Sequence, residues 1–301
     1  MDQYVAFTPP IPAARHAHLF KGVGVPRTPH FNPSSHASGV SWISQLPVQS
    51  DENVAFNDHF YRQRLRTLQS VDELVAGVME RLERHGLLED TYVFYTTDNG
   101  YHIGQHRLQP GKECGFEEDI NVPLIVRGPG VKKGEVEERV VTSHVDLVPT
   151  VLKLAGALGD NLKEYEEYKL DGEAIPLTAE ELEEAKQKGK RHEHVTVEYW
   201  GFALSEGRVF GKDGQRFWTN NTYKAVRILG DGYNLYYSVW CSGEHELYDL
   251  QVSCPFSEVP FLCHIHPLIW KISLVSSHHA NQIAQNRPIH TNSTTSSLPP
   301  R

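Results

Sequence analysis

The sequence contains no apolar run long enough to cross a bilayer, which takes about 20 consecutive apolar residues. Its N-terminus has no basic stretch followed by an apolar core, so no signal peptide is expected. Basic residues are in the minority, with 29 Lys and Arg against 38 Asp and Glu and a net charge of −9. That balance argues against a general polyanion binder, and nucleic acid is not an expected partner.

Cysteine is also scarce, and none of its spacings is the CxxC of a zinc site. The four cysteines are Cys114, Cys241, Cys254 and Cys263. They allow three pairings, and the sequence does not choose among them. A hydrophobic content of 39% and a charged content of 22% are typical of globular proteins. A chain of 301 residues therefore has enough length for one large domain or two smaller ones.

Apolar periodicity predicts a helix between about residues 58 and 86. Its apolar residues recur at three- and four-residue spacing and so share one face: Leu68, Val71, Leu74, Val75, Val78 and Leu82. Ser70 and Glu73 fit a capping box, which predicts a restart of the helix there, and Gly86 predicts its end.

Two short runs without charge predict buried strands. YVFYT at 92–96 is β-branched and aromatic, which is typical of a central strand covered on both faces, and VPLIV at 122–126 is similar. A helix follows near 144–146 and ends at a glycine. Strand, loop, strand and helix in this order predict an α/β domain over 1–158 with a mainly parallel sheet flanked by helices.

The second half of the chain changes character three times. Residues 159–194 are highly charged and predict a solvated helix and linker. Residues 195–250 contain short aromatic runs separated by turn residues, which predict a small antiparallel sheet. Residues 251–301 have scattered apolar residues without a period and predict an irregular, disordered or aberrant tail.

The most informative stretch is the one behind the first predicted strand. Asp98 and Asn99 stand at its carboxyl end, where open α/β sheets bind ligands. A carboxylate beside an amide carbonyl suits Ca²⁺ or Mg²⁺, and Gly100 permits a sharp turn. Lys112, after Pro110-Gly111, can fold back as a point charge for an anionic ester. Taken singly, Asp-Asn-Gly is also a common turn, and a lone lysine is usually solvated.

In combination these residues resemble a known family. VFYTTDNGYHIGQHRLQPGKECGFEEDINVPLIVRGPGV, at 93–131, looks like the second active-site segment of sulfatases, and fungal arylsulfatases most closely. The similarity continues through TSHVDLVPT, HEHVTVEYWG and EHELYDL, and it extends to glucosamine-6-sulfatases. It covers roughly residues 11–250.

The resemblance implies an alkaline-phosphatase-like α/β fold that hydrolyses sulfate esters of small molecules or carbohydrates. Asp98 and Asn99 match two metal ligands, with Ca²⁺ expected and Mg²⁺ as the alternative. Lys112 matches the lysine that contacts sulfate, and His102 matches a motif position with a role in ordering the loop or lining the pocket. Asp146 is better interpreted as a helix N-cap than as a ligand. Secretion, or delivery to a vacuole- or lysosome-like compartment, is typical of the family.

Two parts of the family pattern are absent from these 301 residues: an early pair of metal-binding aspartates, and the C/S-x-P-S/T-R motif that is converted to formylglycine. We therefore expect the C-terminal part of a sulfatase, truncated at its N-terminus and inactive by itself. Two alternatives stay open. One is a non-catalytic fragment, and the other is a phosphatase or phosphodiesterase of the same superfamily, with more histidine ligands and a serine or threonine nucleophile.

Overall fold

A computed structural model describes residues 8–35, 38–157, 170–188, 193–204 and 217–251. The chain begins with a 3-10 turn at Ala14–His16 and a short helix α1 at Ser41–Ser44, followed by the long helix α2 at Asp51–Arg84. In the described ranges, no helix combines the length and the apolar content needed to span a bilayer.

Helix α2 runs for 34 residues without a break. It starts earlier than predicted, because the Ser50 hydroxyl accepts a hydrogen bond from the Asn53 N–H and caps its first turn. The predicted restart at Ser70 is therefore wrong. Glu73 instead forms ion pairs with Arg15 and His16 of the N-terminal segment. Gly86, with φ of 66°, ends the helix as predicted.

The two predicted strands of the first half are shorter than expected and pair with each other. Strand β1 is Val93–Tyr95 and strand β2 is Ile125–Arg127, with Phe94 opposite Val126. Their pairing is antiparallel. All three β1 residues are only half-buried, so the prediction of burial on both faces is wrong. The reason is that, within the described residues, β2 is the only strand beside β1.

The helix predicted after β2 is present. A 3-10 turn at His144–Asp146 leads into α4 at Leu147–Leu154, after the short helix α3 at Glu117–Ile120. Asp146 was predicted to be the N-cap, but Ser143 is the N-cap of the 3-10 turn. Asp146 is the third residue of the capping box that Ser143 begins. The Asp146 carboxylate accepts the N–H groups of Ser143 and Glu173, both at 2.9 Å.

Part of the predicted charged linker is packed into the protein. Ile175 and Leu177 are buried in one cluster with Leu124 and Val126, and helix α5 follows at Ala179–Lys188. Residues 158–169, 189–192 and 252–301 lie outside the described residues. They include part of the predicted linker and all but the first residue of the predicted tail. The proposed limits of the domains stay predictions.

The predicted antiparallel sheet of the second half is confirmed. Its strands are β3 at His194–Tyr199, β6 at Tyr223–Gly230, β7 at Tyr233–Trp240 and β8 at His245–Asp249, in the order β3-β6-β7-β8. A separate pair is formed by β4 at Ala203–Leu204 and β5 at Phe217–Trp218. Asp231-Gly232 makes the turn of the β6–β7 hairpin, where Gly232 has φ of 88°.

Every strand pair in the described residues is antiparallel, so the mainly parallel sheet predicted for the first half is not found there. Helices and sheets together still form an α/β fold. The two halves share an aromatic core, because Trp42 of α1 packs against Trp218 at 5.4 Å and Trp240 at 6.2 Å between ring centroids. Cys114 and Phe116 belong to the same core, so the second-half sheet also packs against the segment that carries the predicted site.

Candidate active site

The predicted site residues lie in one connection between β1 and β2, residues 98–121, which we call the site loop. Its first residues run beside its last ones. The Gly100 N–H donates to the Asp119 carbonyl at 2.8 Å, and the Tyr101 N–H donates to the Glu118 carbonyl at 2.6 Å. A Cβ on Gly100 would lie 1.9 Å from the Glu118 oxygen, so only glycine allows this approach.

The same loop returns Lys112 toward Asp98. His102 and Gly111 pair in antiparallel fashion, with the His102 N–H donating to the Gly111 carbonyl at 2.9 Å. This bridge brings the next residue, Lys112, alongside the start of the loop. Asp98 and Lys112 are exposed and Asn99 is half-buried, and Lys112 lies close enough to Asp98 to act on its carboxylate electrostatically.

Local hydrogen bonds keep Asp98 ionised. Its Oδ1 accepts the Asn99 N–H at 2.9 Å and the Thr97 hydroxyl at 3.2 Å. These bonds lower the pKa of the Asp98 carboxyl below its ordinary value, and the nearby Lys112 ammonium adds to the effect. A carboxylate next to an amide is the right chemistry for a hard cation, although Ca²⁺ usually takes six to eight oxygen ligands. The two residues fit part of a metal site.

A histidine that we did not predict for the site also lies there. The exposed His144 brings Nε2 within 2.9 Å of the Thr97 carbonyl oxygen, directly before Asp98. Its segment, TSHVDLVPT, is part of the family resemblance, which is the sequence signal that could have found it. The 3-10 turn before α4 places this imidazole at the mouth of the site.

His102 is inside the protein rather than in the solvent-facing part of the site. Its Nδ1 lies 2.8 Å from Oδ2 of the buried Asp119, which also accepts the Cys114 N–H at 2.8 Å. Burial disfavours the imidazolium, but the Asp119 carboxylate outweighs burial and raises the pKa of His102. This contact suits the predicted role of His102 in ordering the loop.

His102, Cys114 and Asp119 also form a three-residue group whose ligand atoms all lie within 4.8 Å of one another. The hydrogen bonds to Asp119 account for the arrangement without a metal. Burial raises the pKa of the Cys114 thiol well above its ordinary value, which keeps it protonated and makes it a poor ligand. Cys114 and the exposed Cys241 are both free thiols.

The remaining charged residues of the site loop bind it to its surroundings. Glu118 pairs with His30, which holds the pKa of the Glu118 carboxyl below its ordinary value in spite of burial. Within the site loop itself, the His106 ring stacks on Phe116 at 3.9 Å between centroids. The Arg107 guanidinium donates to four backbone carbonyls, those of Pro33, Ser34 and Leu46 at 2.8–3.0 Å and that of Ser44 at 3.5 Å.

One ion pair ties the site loop to the second-half sheet. Arg227 of β6 donates from Nε to Oε1 of Glu117 at 2.5 Å, and the Glu117 side chain is 1% exposed. Sequence reasoning did not find this pair, because the partners are 110 residues apart.

Comparison with known proteins explains why these residues occur together. The family model described as Sulfatase matches residues 3–157. The chain belongs to the sulfatase family. It is 43% identical over 250 residues to "Sulfatase ppz1" of Metarhizium majus and 37% identical over 257 residues to an arylsulfatase of Volvox carteri. It is 35% identical over 241 residues to the N-acetylglucosamine-6-sulfatase of Bos taurus.

The similarity covers most of this chain but less than half of each relative. The three matches take in 82%, 81% and 75% of this chain, and 49%, 38% and 40% of the relatives. The expected membership of the sulfatase family, with similarity to fungal, aryl- and glucosamine-6-sulfatases, is confirmed. The roles of Asp98, Asn99, Lys112 and His102 stay predictions, although the structure brings the first three to one region.

In this sulfatase segment, replacing Arg227 by Met is expected to lower the free energy of unfolding by about 3–5 kcal/mol. The loss follows because the buried Glu117 side chain would lose its ion-pair partner, although the Asn121 amide would still donate a hydrogen bond to it. Urea unfolding measures it. The matched control is Lys224→Met on the same strand, whose ion pair with Glu198 is exposed and should contribute about 0–1 kcal/mol. Equal losses of unfolding free energy in the two variants would contradict the interpretation of Glu117 and Arg227 as a stabilising buried ion pair.

The raised pKa of His102 predicts a pH dependence of stability. The unfolded imidazole titrates at about 6.5, and the folded one titrates higher because of Asp119. The stabilisation is therefore complete below pH 6.5 and is lost as the pH rises through the folded value. Urea unfolding between pH 5 and pH 9 should show this decline in wild type and a smaller decline in His102→Asn. Parallel profiles would contradict the pairing.

Proposed function

We propose that the site loop forms the sulfate-binding side of an arylsulfatase-like active site that hydrolyses sulfate esters with the help of a metal. One observation supports this most: the loop of a sulfatase-family chain brings the exposed Lys112 beside Asp98 and Asn99. The preferred substrate class is a sulfated small molecule or carbohydrate. The proposal includes secretion of the protein or its delivery to a vacuole- or lysosome-like compartment.

The proposed roles follow from the chemistry of each side chain. Asp98 and Asn99 would hold Ca²⁺, or Mg²⁺ as the alternative, through hard oxygen atoms. When bound, the cation supplies positive charge at the sulfuryl oxygens. Lys112 holds the sulfate as a fixed ammonium and stabilises charge that builds on the oxygens during cleavage. His102 orients the loop from inside the protein.

The nucleophile is proposed to lie outside these 301 residues, which contain no C/S-x-P-S/T-R motif. The remaining metal ligands and the formylglycine would then come from further sulfatase sequence, together with the parallel strands of an alkaline-phosphatase-like sheet. By themselves these residues are expected to be inactive.

The test is a chimera that joins the segment of the Metarhizium majus sulfatase preceding its matched region to this chain. It is produced in a host that converts the family motif to formylglycine. Calcium-dependent release of 4-nitrophenol from 4-nitrophenyl sulfate, and much slower release from 4-nitrophenyl phosphate, supports the proposal. Preference for the phosphate ester would support the phosphatase alternative, and no turnover of either ester by the folded chimera would support a non-catalytic protein.

In the same chimera, Asp98→Asn is expected to raise the Ca²⁺ concentration for half-maximal activity at least about tenfold, because one carboxylate charge leaves the metal site. Calcium titration of the sulfatase rate measures this. Asp90→Asn is the matched control, since Asp90 is exposed and lies before β1. An unchanged calcium requirement in Asp98→Asn would contradict the metal assignment.

A further inference from the structure

The turn between β5 and β6 carries an exposed asparagine. Asn220 lies in this turn, with Thr222 two residues after it and Asn221 between them. The sequence Asn-x-Ser/Thr, in which x is not proline, is the one on which secreted proteins accept an N-linked glycan. A glycan is bulky and polar, so the folded chain accommodates it only where the asparagine faces solvent.

The chain contains two other Asn-x-Ser/Thr sequences, at Asn32 and Asn292. Asn32 is followed by proline, which blocks the modification. Its amide is also in use, since Nδ2 donates to the Gln49 carbonyl at 3.1 Å and Oδ1 accepts the Gln49 N–H at 2.7 Å. Asn292 lies outside the described residues. Among the described asparagines, Asn220 therefore combines the required sequence with exposure to solvent.

The two residues after Asn220 hold the turn in place. Asn221 is fully buried, and its Nδ2 donates to the Glu113 carbonyl of the site loop at 3.0 Å. The Thr222 hydroxyl donates to the Gly201 carbonyl, behind β3, at 3.1 Å. Because its neighbours anchor the turn at two places, Asn220 is held at the surface of the protein.

Two exposed aromatic side chains lie near the same turn. Phe202, directly before β4, and Phe217 of β5 are 50% and 54% exposed, and their ring centroids are 5.5 Å apart. Three residues of chain span at most about 11 Å, so the Cα atom of Asn220 is no farther than that from the Cα atom of Phe217. Exposed apolar clusters favour association between chains unless something covers them. A glycan on Asn220 is within reach of this pair.

We propose that Asn220 carries an N-linked glycan that shields Phe202 and Phe217. The Nδ2 atom of Asn220 forms a bond to the anomeric carbon of an oligosaccharide, and the amide gives up one proton. The bond from that carbon to the diphosphate of a lipid carrier breaks, and the lipid diphosphate leaves. The inference rests on the passage through the secretory pathway that the proposed function includes.

The test directs the full 301-residue chain into the secretory pathway of a yeast with a cleavable leader. Removal of the leader shows that the chain was imported. Peptide-N-glycosidase F converts a glycosylated asparagine to aspartate, and mass spectrometry is expected to locate this conversion at Asn220. Thr222→Ser keeps the hydroxyl and should keep the glycan. No ester is used, so the result is independent of sulfatase activity. An unmodified Asn220 in the leader-cleaved chain would overturn the proposal.

Further variants test the shielding. Asn220→Gln removes the acceptor and should raise the aggregated fraction in size-exclusion chromatography at least about twofold, because the aromatic pair is then uncovered. Asn292→Gln, at the other acceptor sequence, is the matched control and should leave that fraction unchanged. Adding Phe217→Ser to Asn220→Gln should restore the wild-type fraction, since one exposed ring is removed. Equal aggregation of Asn220→Gln and wild type, or no recovery with Phe217→Ser, would contradict the shielding.

Discussion

Replacing Lys112 by Ala in the chimera is expected to lower kcat/KM for an aryl sulfate ester by about 10²–10³-fold. A single preorganised group that stabilises charge developing on the reacting oxygens is typically worth that much. Lys112 has an exposed side chain beside an ionised Asp98 and makes its polar contacts in the described structure through its backbone, where its N–H donates to Glu113. The ammonium is thus available to a sulfate group.

Two controls separate this role from a general effect of charge. Lys132→Ala removes a lysine whose ion pair with Glu135 lies on the surface, and it should leave kcat/KM unchanged. Lys112→Arg keeps the charge but changes its shape, and it should recover only part of the rate. A Lys112→Ala chimera that turns over at the wild-type rate would remove Lys112 from the site.

The second large effect concerns stability. Replacing Glu246 of β8 by Leu is expected to lower the free energy of unfolding by about 4–6 kcal/mol, because several buried donors would lose their acceptor at about 1–3 kcal/mol each. The buried carboxylate accepts hydrogen bonds from five groups: the hydroxyls of Ser38, Ser238 and Tyr248, the N–H of Gly39 and the indole N–H of Trp240. It joins residues 38–39 to the second-half sheet.

Guanidinium unfolding measures this loss. The neighbouring Leu247→Ala is the matched control, since Leu247 lies on the same strand with its side chain 57% exposed and should change stability by less than about 0.5 kcal/mol. A loss below 1 kcal/mol in Glu246→Leu would mean that the five donors find water or other acceptors after substitution.

Local patterns were sufficient for much of the fold. The aromatic runs and turn residues predicted the antiparallel sheet, since alternation and an Asp-Gly turn are short-range signals. The apolar period located α2, but its true start depends on the Ser50 cap, which is a single residue outside the periodic region. The restart predicted at Ser70 failed because Glu73 is used by Arg15, which is 58 residues away in the sequence.

The strand predicted to be buried is the most informative difference. Val93, Phe94 and Tyr95 have the composition of a central strand, yet they lie at an open edge in the described structure. The composition of a segment indicates whether it is usually buried or exposed. It does not record which strands lie beside that segment among the described residues. The apolar face of α2 shows the same difference. Its periodicity is typical of a covered face, yet Leu68, Leu74, Val75 and Val78 are exposed.

The sequence predicted only those features of the candidate site that depend on the type and the order of neighbouring residues. Asp98, Asn99 and Lys112 stood out because hard oxygens and a lysine after Pro-Gly have a recognisable chemistry. The partners of the site loop did not, because contacts such as Glu117 with Arg227 join residues that are distant in the sequence. His102 matched a motif position, but its bond to Asp119 required three-dimensional proximity.

The most direct test of the central claim is a crystal structure of the chimera with Ca²⁺ and sulfate. The account predicts a Ca²⁺ ion at about 2.3–2.6 Å from the side-chain oxygens of Asp98 and Asn99. It also predicts the Lys112 ammonium within hydrogen-bond distance of the sulfate. A calcium ion bound without Asp98 and Asn99, or a sulfate held away from Lys112, would contradict the assignment of this loop as the sulfate-binding side of the active site.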